Sequence, residues 1–217
     1  MKTPSDISRP MEARATAARV WDLPTRVFHW VLAATVLCSV VTARIGGNAM
    51  VWHFWLGYLA FALLVFRLIW GLVGGHWSRF ASFAYAPGTV LRYLRGEQRP
   101  GEHFEVGHNP TGALSVFGLL AVLMLQVATG LVADDEIASV GPLNRFVSGA
   151  VASKATDWHH HWGQYLIVAM VVLHVAAVIY YLVRKKNNLV GPMIDGDKLL
   201  PPDTPVSSAA PSTPSAP

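Results

Sequence analysis

Four histidines, His29, His53, His160 and His174, lie within or at the edge of long apolar runs, where an imidazole is costly without a partner. His160 and His174 share one run. Fourteen residues of helix rise about 21 Å and turn through about 1400°, which returns to within about 40° of the same face. One helix can therefore present an imidazole near each surface of a hydrocarbon layer about 30 Å thick. Neutral imidazole is the common axial donor to a haem iron that shuttles single electrons. The spacing thus predicts two bis-imidazole haem sites stacked across a membrane, and the metal ligands are read as His29, His53, His160 and His174.

The run His159-His160-His161 offers three rings for one ligand position. His161 precedes His174 by thirteen residues, about 140° away around the helix, and is excluded. His160 comes closest to the required direction, and His159, about 60° off, stays open. Arg67 is the other costly residue, fourteen positions after His53 on nearly the same helix face. A guanidinium offers a planar fork of donors that matches a carboxylate, and haem propionates are carboxylates. Arg67 is therefore a candidate to neutralise a propionate of the inner haem, the alternative being a side chain that snorkels to the interface beside Trp70. Arg26, one turn before His29, is a second candidate.

These residues need helices that cross a bilayer to position them. With 53% hydrophobic and only 14% charged residues, the chain has four apolar runs of about 20 residues or more, roughly 24–43, 50–73, 113–133 and 158–183. The first follows a polar leader and lacks a small-residue cleavage pattern, which argues against a signal peptide. Lys2, Arg9, Arg14 and Arg19 precede the first run, and Arg26 lies in its first turn. Arg79, Arg92, Arg95 and Arg99 lie between the second and third, and Arg184, Lys185, Lys186 and Lys198 follow the fourth. The opposite side has only Arg44, Arg145 and Lys154, accompanied by Asp134, Asp135, Glu136 and Asp157. The positive-inside rule then puts both termini in the cytoplasm. The net charge of +4 follows from this topology, and no basic stripe on a soluble fold points to nucleic acid.

With this orientation His29 and His174 lie toward the inside, and His53 and His160 toward the outside. Depth alone pairs His29 with His174 and His53 with His160, placing the irons about 20 Å apart. The third helix has no histidine and is read as a packing wall, with Gly112, Gly118 and Gly130 allowing close approach. The expected organisation is a cytoplasmic leader over 1–19, a membrane domain over 20–198, and a disordered Pro/Ser/Thr/Ala tail over 199–217. The inner loop 74–112 contains an amphipathic stretch at 90–94, and Asn109-Pro110 forms a helix start. The outer loop is 134–157. Cys38 is the single cysteine, so there is no disulfide framework, and no Cys-x-x-Cys-His element attaches haem covalently.

Trp21-Asp22 followed by Arg26 and His29-Trp30 resembles the first-helix motif of the bacterial cytochrome b561 and nickel–iron hydrogenase b-type cytochrome superfamily. His53-x-x-x-Gly57 with Arg67-x-x-Trp70-Gly71 is similar to its second helix, and Gly107-His108-Asn109-Pro110-x-Gly112-Ala113 to the entrance of its third. Asp134-Asp135 with Gly141-Pro142-Leu143, His174-Val175-Ala176-Ala177, Asn188-Leu189-Val190 and Met193-Ile194-x-Gly196-x-Lys198 extend the resemblance over about 20–198. It implies an all-α, integral membrane four-helix bundle with two non-covalent haems b between the helices, held by His29, His53, His160 and His174. The implied function is an inner-membrane cytochrome carrying electrons between the quinone pool and a redox partner such as a periplasmic c-type cytochrome. Two alternatives share the fold. One is a superoxide oxidase that reduces ubiquinone, which the three acids opening the outer loop disfavour. The other is the membrane anchor of a hydrogenase or dehydrogenase.

Overall fold

The computed structural model describes residues 16–97, 99, 102, 104, 106–135 and 139–200. Most of the expected leader, Pro100, Glu136 and the tail from 201 lie outside them. Among the described residues, four helices are long and apolar enough to cross a membrane: Leu23–Ile45, Gly47–Val73, Pro110–Val132 and Gly149–Val183. Helix α1 (Leu23–Ile45) starts where Asp22 Oδ1 accepts from Thr25 N at 2.9 Å, with Pro24 in the first turn, and ends at Gly46. A single 3₁₀ turn, Gly47–Ala49, leads into α2 (Met50–Val73), which returns alongside α1.

The amphipathic stretch forms a short surface helix, α3 (Pro87–Leu94), whose Leu91 and Leu94 remain exposed. Helix α4 (Pro110–Val132) begins as its Asn-Pro pair predicts, with Asn109 Oδ1 accepting from Gly112 N at 2.7 Å. The loop after α4 is shorter than the expected 134–157, because residues from 149 are already helical as α5 (Gly149–Asp157). This helix continues through a π-helical segment, Trp158–Gly163, into α6 (Gln164–Val183). The continuous fourth helix of 35 residues is about 52 Å long. That exceeds a hydrocarbon core, so its first turns project beyond it.

The all-α expectation needs one amendment. Strands β1 (Thr16–Arg19) and β2 (Asp197–Leu200) pair antiparallel, Thr16 opposite Leu200 and Arg19 opposite Asp197. The end of the leader and the start of the tail are therefore ordered against each other, with an Arg19–Asp197 ion pair of 2.5 Å at one end. Between α6 and β2 lies α7 (Val190–Asp195). Trp30 Nε1 donates to Met193 O at 2.9 Å and Arg26 Nη1 donates to Ile194 O, which fastens α7 to the start of α1. We call this end of the bundle the cap end, and the opposite one, marked by the α1–α2 turn, the turn end.

Two apolar clusters hold the molecule. Phe28 and Leu32 from α1, Leu64 from α2, Leu120 and Leu123 from α4, and Ile167 from α6 meet inside the bundle. Val20, Trp21, Val106 and Leu200 form the core of the cap. The outside of the bundle is as apolar as the inside: Leu37, Trp52 and Leu173 are each about two-thirds exposed or more. A surface of this kind has lipid for its solvent. The protein is a multi-pass membrane protein.

Candidate functional site

The two imidazole pairs lie between the α1/α2 hairpin and the fourth helix. Near the cap end, His29 of α1 and His174 of α6 have ring centres 6.4 Å apart. Near the turn end, His53 of α2 has its ring centre 6.0 Å from that of His159. Fifteen residues separate His159 from His174, so the pairs stand about 20 Å apart along the helix.

His160, the residue expected opposite His53, does not stand there. It is exposed, its carbonyl accepts from Gln164 Nε2, and the ring that faces His53 belongs to His159. The reason is the π segment. A π turn takes up one residue more than an α turn, so the fifteen residues from 159 to 174 advance like about fourteen of regular helix. His159 thereby gains the direction that uniform α-helical counting assigns to His160. His161 is exposed beside Asp157 at 3.2 Å.

The neighbouring helix accommodates this ring. A Cβ at Gly130 of α4 would stand 2.6 Å from His159 Cε1, so only glycine leaves the space. Gln126, also on α4, holds the segment twice: His159 Nδ1 donates to its carbonyl at 2.9 Å, and its Nε2 donates to the His159 carbonyl at 2.9 Å. The sequence reading passed over Gln126, although a polar amide in the middle of an apolar span is itself a signal. His53 is tied in the same manner, with Nδ1 3.0 Å from the Ser39 carbonyl and 3.2 Å from its hydroxyl. A ring that donates through Nδ1 keeps the Nε2 lone pair for another partner.

The cap end is built differently. His29 Nδ1 is buried with no hydrogen-bond partner among the described residues. Arg67 is only 4% exposed; its guanidinium lies 4.6 Å from the Phe80 ring centre, and Nη1 donates to the Ser78 carbonyl at 3.0 Å. The side chain therefore does not reach solvent. Phe80 takes this position because Gly71, one turn after Arg67, has no side chain where the phenyl ring packs.

Asp22 links the start of α1 to the end of α2. Besides capping α1, its Oδ2 accepts from Ser78 Oγ at 2.8 Å, Trp70 Nε1 at 3.1 Å and Gly75 N at 3.3 Å. Burial works against its charge, but the hydrogen bonds from Thr25, Ser78 and Trp70 outweigh burial and hold the carboxyl below its usual range. The Asp22-Leu23-Pro24-Thr25 order announces a helix cap, but nothing local announces the distant donors. His108 is a second residue outside the expected set. Its ring lies 4.6 Å from Trp21 and 4.3 Å from Phe83, and its Nδ1 is buried without a partner among the described residues. Burial, followed by the positive charges of Arg67 and Lys198, pushes its pKa down to about 3, so it is neutral at physiological pH.

Several known proteins resemble the chain along most of its length. It is 26% identical to a probable Ni/Fe-hydrogenase B-type cytochrome subunit of Bradyrhizobium diazoefficiens, over 82% of this chain and 85% of that protein. The protein of the same description from Cupriavidus necator is 28% identical, over 83% and 86%. The probable Ni/Fe-hydrogenase 1 B-type cytochrome subunit of Escherichia coli K12 is 24% identical, over 82% and 88%. No solved structure matches the chain. The family described as prokaryotic cytochrome b561 matches residues 20–196, from the first residue of the cap core to the turn before β2. The span of that match takes in all four membrane helices and both imidazole pairs, and the chain belongs to the prokaryotic cytochrome b561 family, as a membrane b-type cytochrome of electron transfer.

Proposed function

We propose that this cytochrome holds two haems b, one between His29 and His174 and one between His53 and His159, and carries electrons between a quinone pool and a redox partner protein. The ring spacing carries this reading. Two imidazole nitrogens on one iron, each about 2 Å from it, place ring centres about 6 Å apart. Both pairs are at that spacing, 6.4 and 6.0 Å, although they come from different helices. The donor set fits the group in a second way: Nδ1 of His53 and of His159 is engaged by backbone carbonyls, which fixes the tautomer with Nε2 available.

Haem supplies the one-electron chemistry; the protein supplies orientation, burial and charge. His29 and His174 hold the cap-end site, where Arg67 is the donor for a propionate. His53 and His159 hold the turn-end site, with Ser39 and Gln126 keeping their rings in place. The apolar interior from Phe28 to Ile167 excludes water between the two sites. The excess of basic residues in the segments that flank the cap end supports an orientation with both termini in the cytoplasm of a bacterial inner membrane. The turn end then faces the periplasm, where a c-type cytochrome or a larger redox subunit would dock. The hydrogenase-subunit descriptions of the relatives favour a large redox subunit.

The test is a haem assay on the purified protein followed by addition of a quinol. About two non-covalent, low-spin haems b per chain, reduced by the quinol, are expected. One haem per chain overturns the two-site reading, and haems that the quinol leaves oxidised overturn the role of the quinone pool.

A further inference from the structure

Asp22 does more than a helix cap requires. A cap needs one acceptor for one or two backbone N–H groups, and Ser or Asn serves as well as Asp. Here Oδ1 makes the cap, while Oδ2 collects Ser78 Oγ, the Trp70 indole and Gly75 N. Ser78 is gripped from two sides, its hydroxyl by Asp22 and its carbonyl by Arg67 at 3.0 Å. The same hydroxyl lies 2.7 Å from Thr25 Oγ1. Trp70 follows Arg67 by three residues, so indole and guanidinium leave α2 on adjacent positions of one face. The carboxylate and the guanidinium thus clasp one residue from opposite sides, in a region where Ser78 and Arg67 are both buried. A buried guanidinium without a compensating charge is unfavourable, and Asp22 is the acid whose charge acts on Arg67.

We propose that Asp22 is the positioning residue for Arg67: through Ser78 and Trp70 it fixes the guanidinium, and as counter-charge it restrains the pull of Arg67 on the cap-end haem. The inference rests on the reading that His29 and His174 hold a haem whose propionate Arg67 meets. A positive charge near the iron disfavours the ferric state. Removing the acid while keeping Arg67 leaves the guanidinium uncompensated, so the ferrous state gains.

The experiment is redox titration of the purified holoprotein with Asp22→Asn, Arg67→Gln and the double variant. Asn keeps the cap acceptor and removes the charge. Asp22→Asn is expected to raise the midpoint potential of the cap-end haem, leave the turn-end haem unmoved, and produce a smaller shift when Arg67 is already Gln. Asp22→Ser, which also caps a helix without charge, should give the same rise. No shift, a fall, or an equal shift with and without Arg67 overturns the inference. So does loss of the cap-end haem in both Asn and Ser variants, which keep the cap: the carboxylate would then hold the site together rather than tune Arg67. Failure of the underlying reading looks different: the unaltered protein then lacks the second haem, or Arg67→Gln leaves both potentials unchanged with both haems bound.

Discussion

The two ends of the bundle hold their imidazole pairs by different means. At the turn end, His53 and His159 are tied to main-chain carbonyls of Ser39 and Gln126, and no arginine or carboxylate takes part in those hydrogen bonds. At the cap end, His29 Nδ1 has no partner among the described residues, and order comes from the buried charge of Arg67 and the partly buried charge of Asp22 clasped around Ser78. One site depends on the path of the backbone and the other on electrostatics. The turn end should therefore be sensitive to helix register and indifferent to charge. The cap end should behave in the opposite way.

The largest effects should come from the ligands. His174→Ala removes a ring that no neighbouring histidine on α6 can replace, and should cost the protein its cap-end haem while the other stays. At the turn end His159→Ala should remove the haem and His160→Ala should leave it, both read from haem content and low-spin spectra. A haem lost with His160 and kept without His159 would break the register account. Deleting His161 sharpens it. If the π segment absorbs one extra residue, removing one lets regular helix keep His159 fourteen positions before His174, and both haems should remain. Loss of the turn-end haem in that deletion would show that the π turn itself, and not only its register, is required.

Charge changes come next in size. Arg67→Gln should lower the midpoint potential of the cap-end haem, because the positive charge that disfavours the ferric state is gone, and weaken its retention. A shift confined to the turn-end haem would invert the assignment of the two ends. A smaller effect concerns the cap itself. His108 is held near pKa 3 when folded and returns to about 6.5 when unfolded, so its contribution to stability is complete above pH 6.5. It is lost as the pH falls below that value, about 2 kcal/mol by pH 5, as the unfolded chain gains the proton. Thermal melts of His108→Gln in detergent between pH 7 and 5 should show a flatter acid slope than the unaltered protein. The smallest effect is expected for Ser39→Ala, because the Ser39 carbonyl still accepts from His53 Nδ1. Haem content should be unchanged; its loss would mean that the hydroxyl, and not the main chain, orients the ring.

Much of the frame was legible in the sequence because it depends on local chemistry. The first three long apolar runs, the Asn109-Pro110 start of α4 and the 90–94 amphipathic stretch reappear as helices within a few residues of their expected limits. Depth along regular helices paired His29 with His174, and those rings stand together. The fourth helix was read too short because 149–157 is only weakly apolar, although its alanines favour helix. The β1–β2 pair was missed because each strand is four residues long and their partners lie about 180 positions apart.

What the sequence alone determined was periodic: how many helices span, which way their charges bias them, and that imidazoles recur at two depths. Tertiary structure decided which ring of the His159-His160-His161 run faces His53. A π turn shifts the register by one residue, and whether it forms depends on what Gly130 and Gln126 of another helix leave room for and hydrogen-bond. It also decided the partners of Asp22, since Trp70, Gly75 and Ser78 meet it only when the end of α2 folds back onto the start of α1. Helical counting assumes a uniform turn and sees one segment at a time, whereas these contacts are made where segments distant in sequence press on one another.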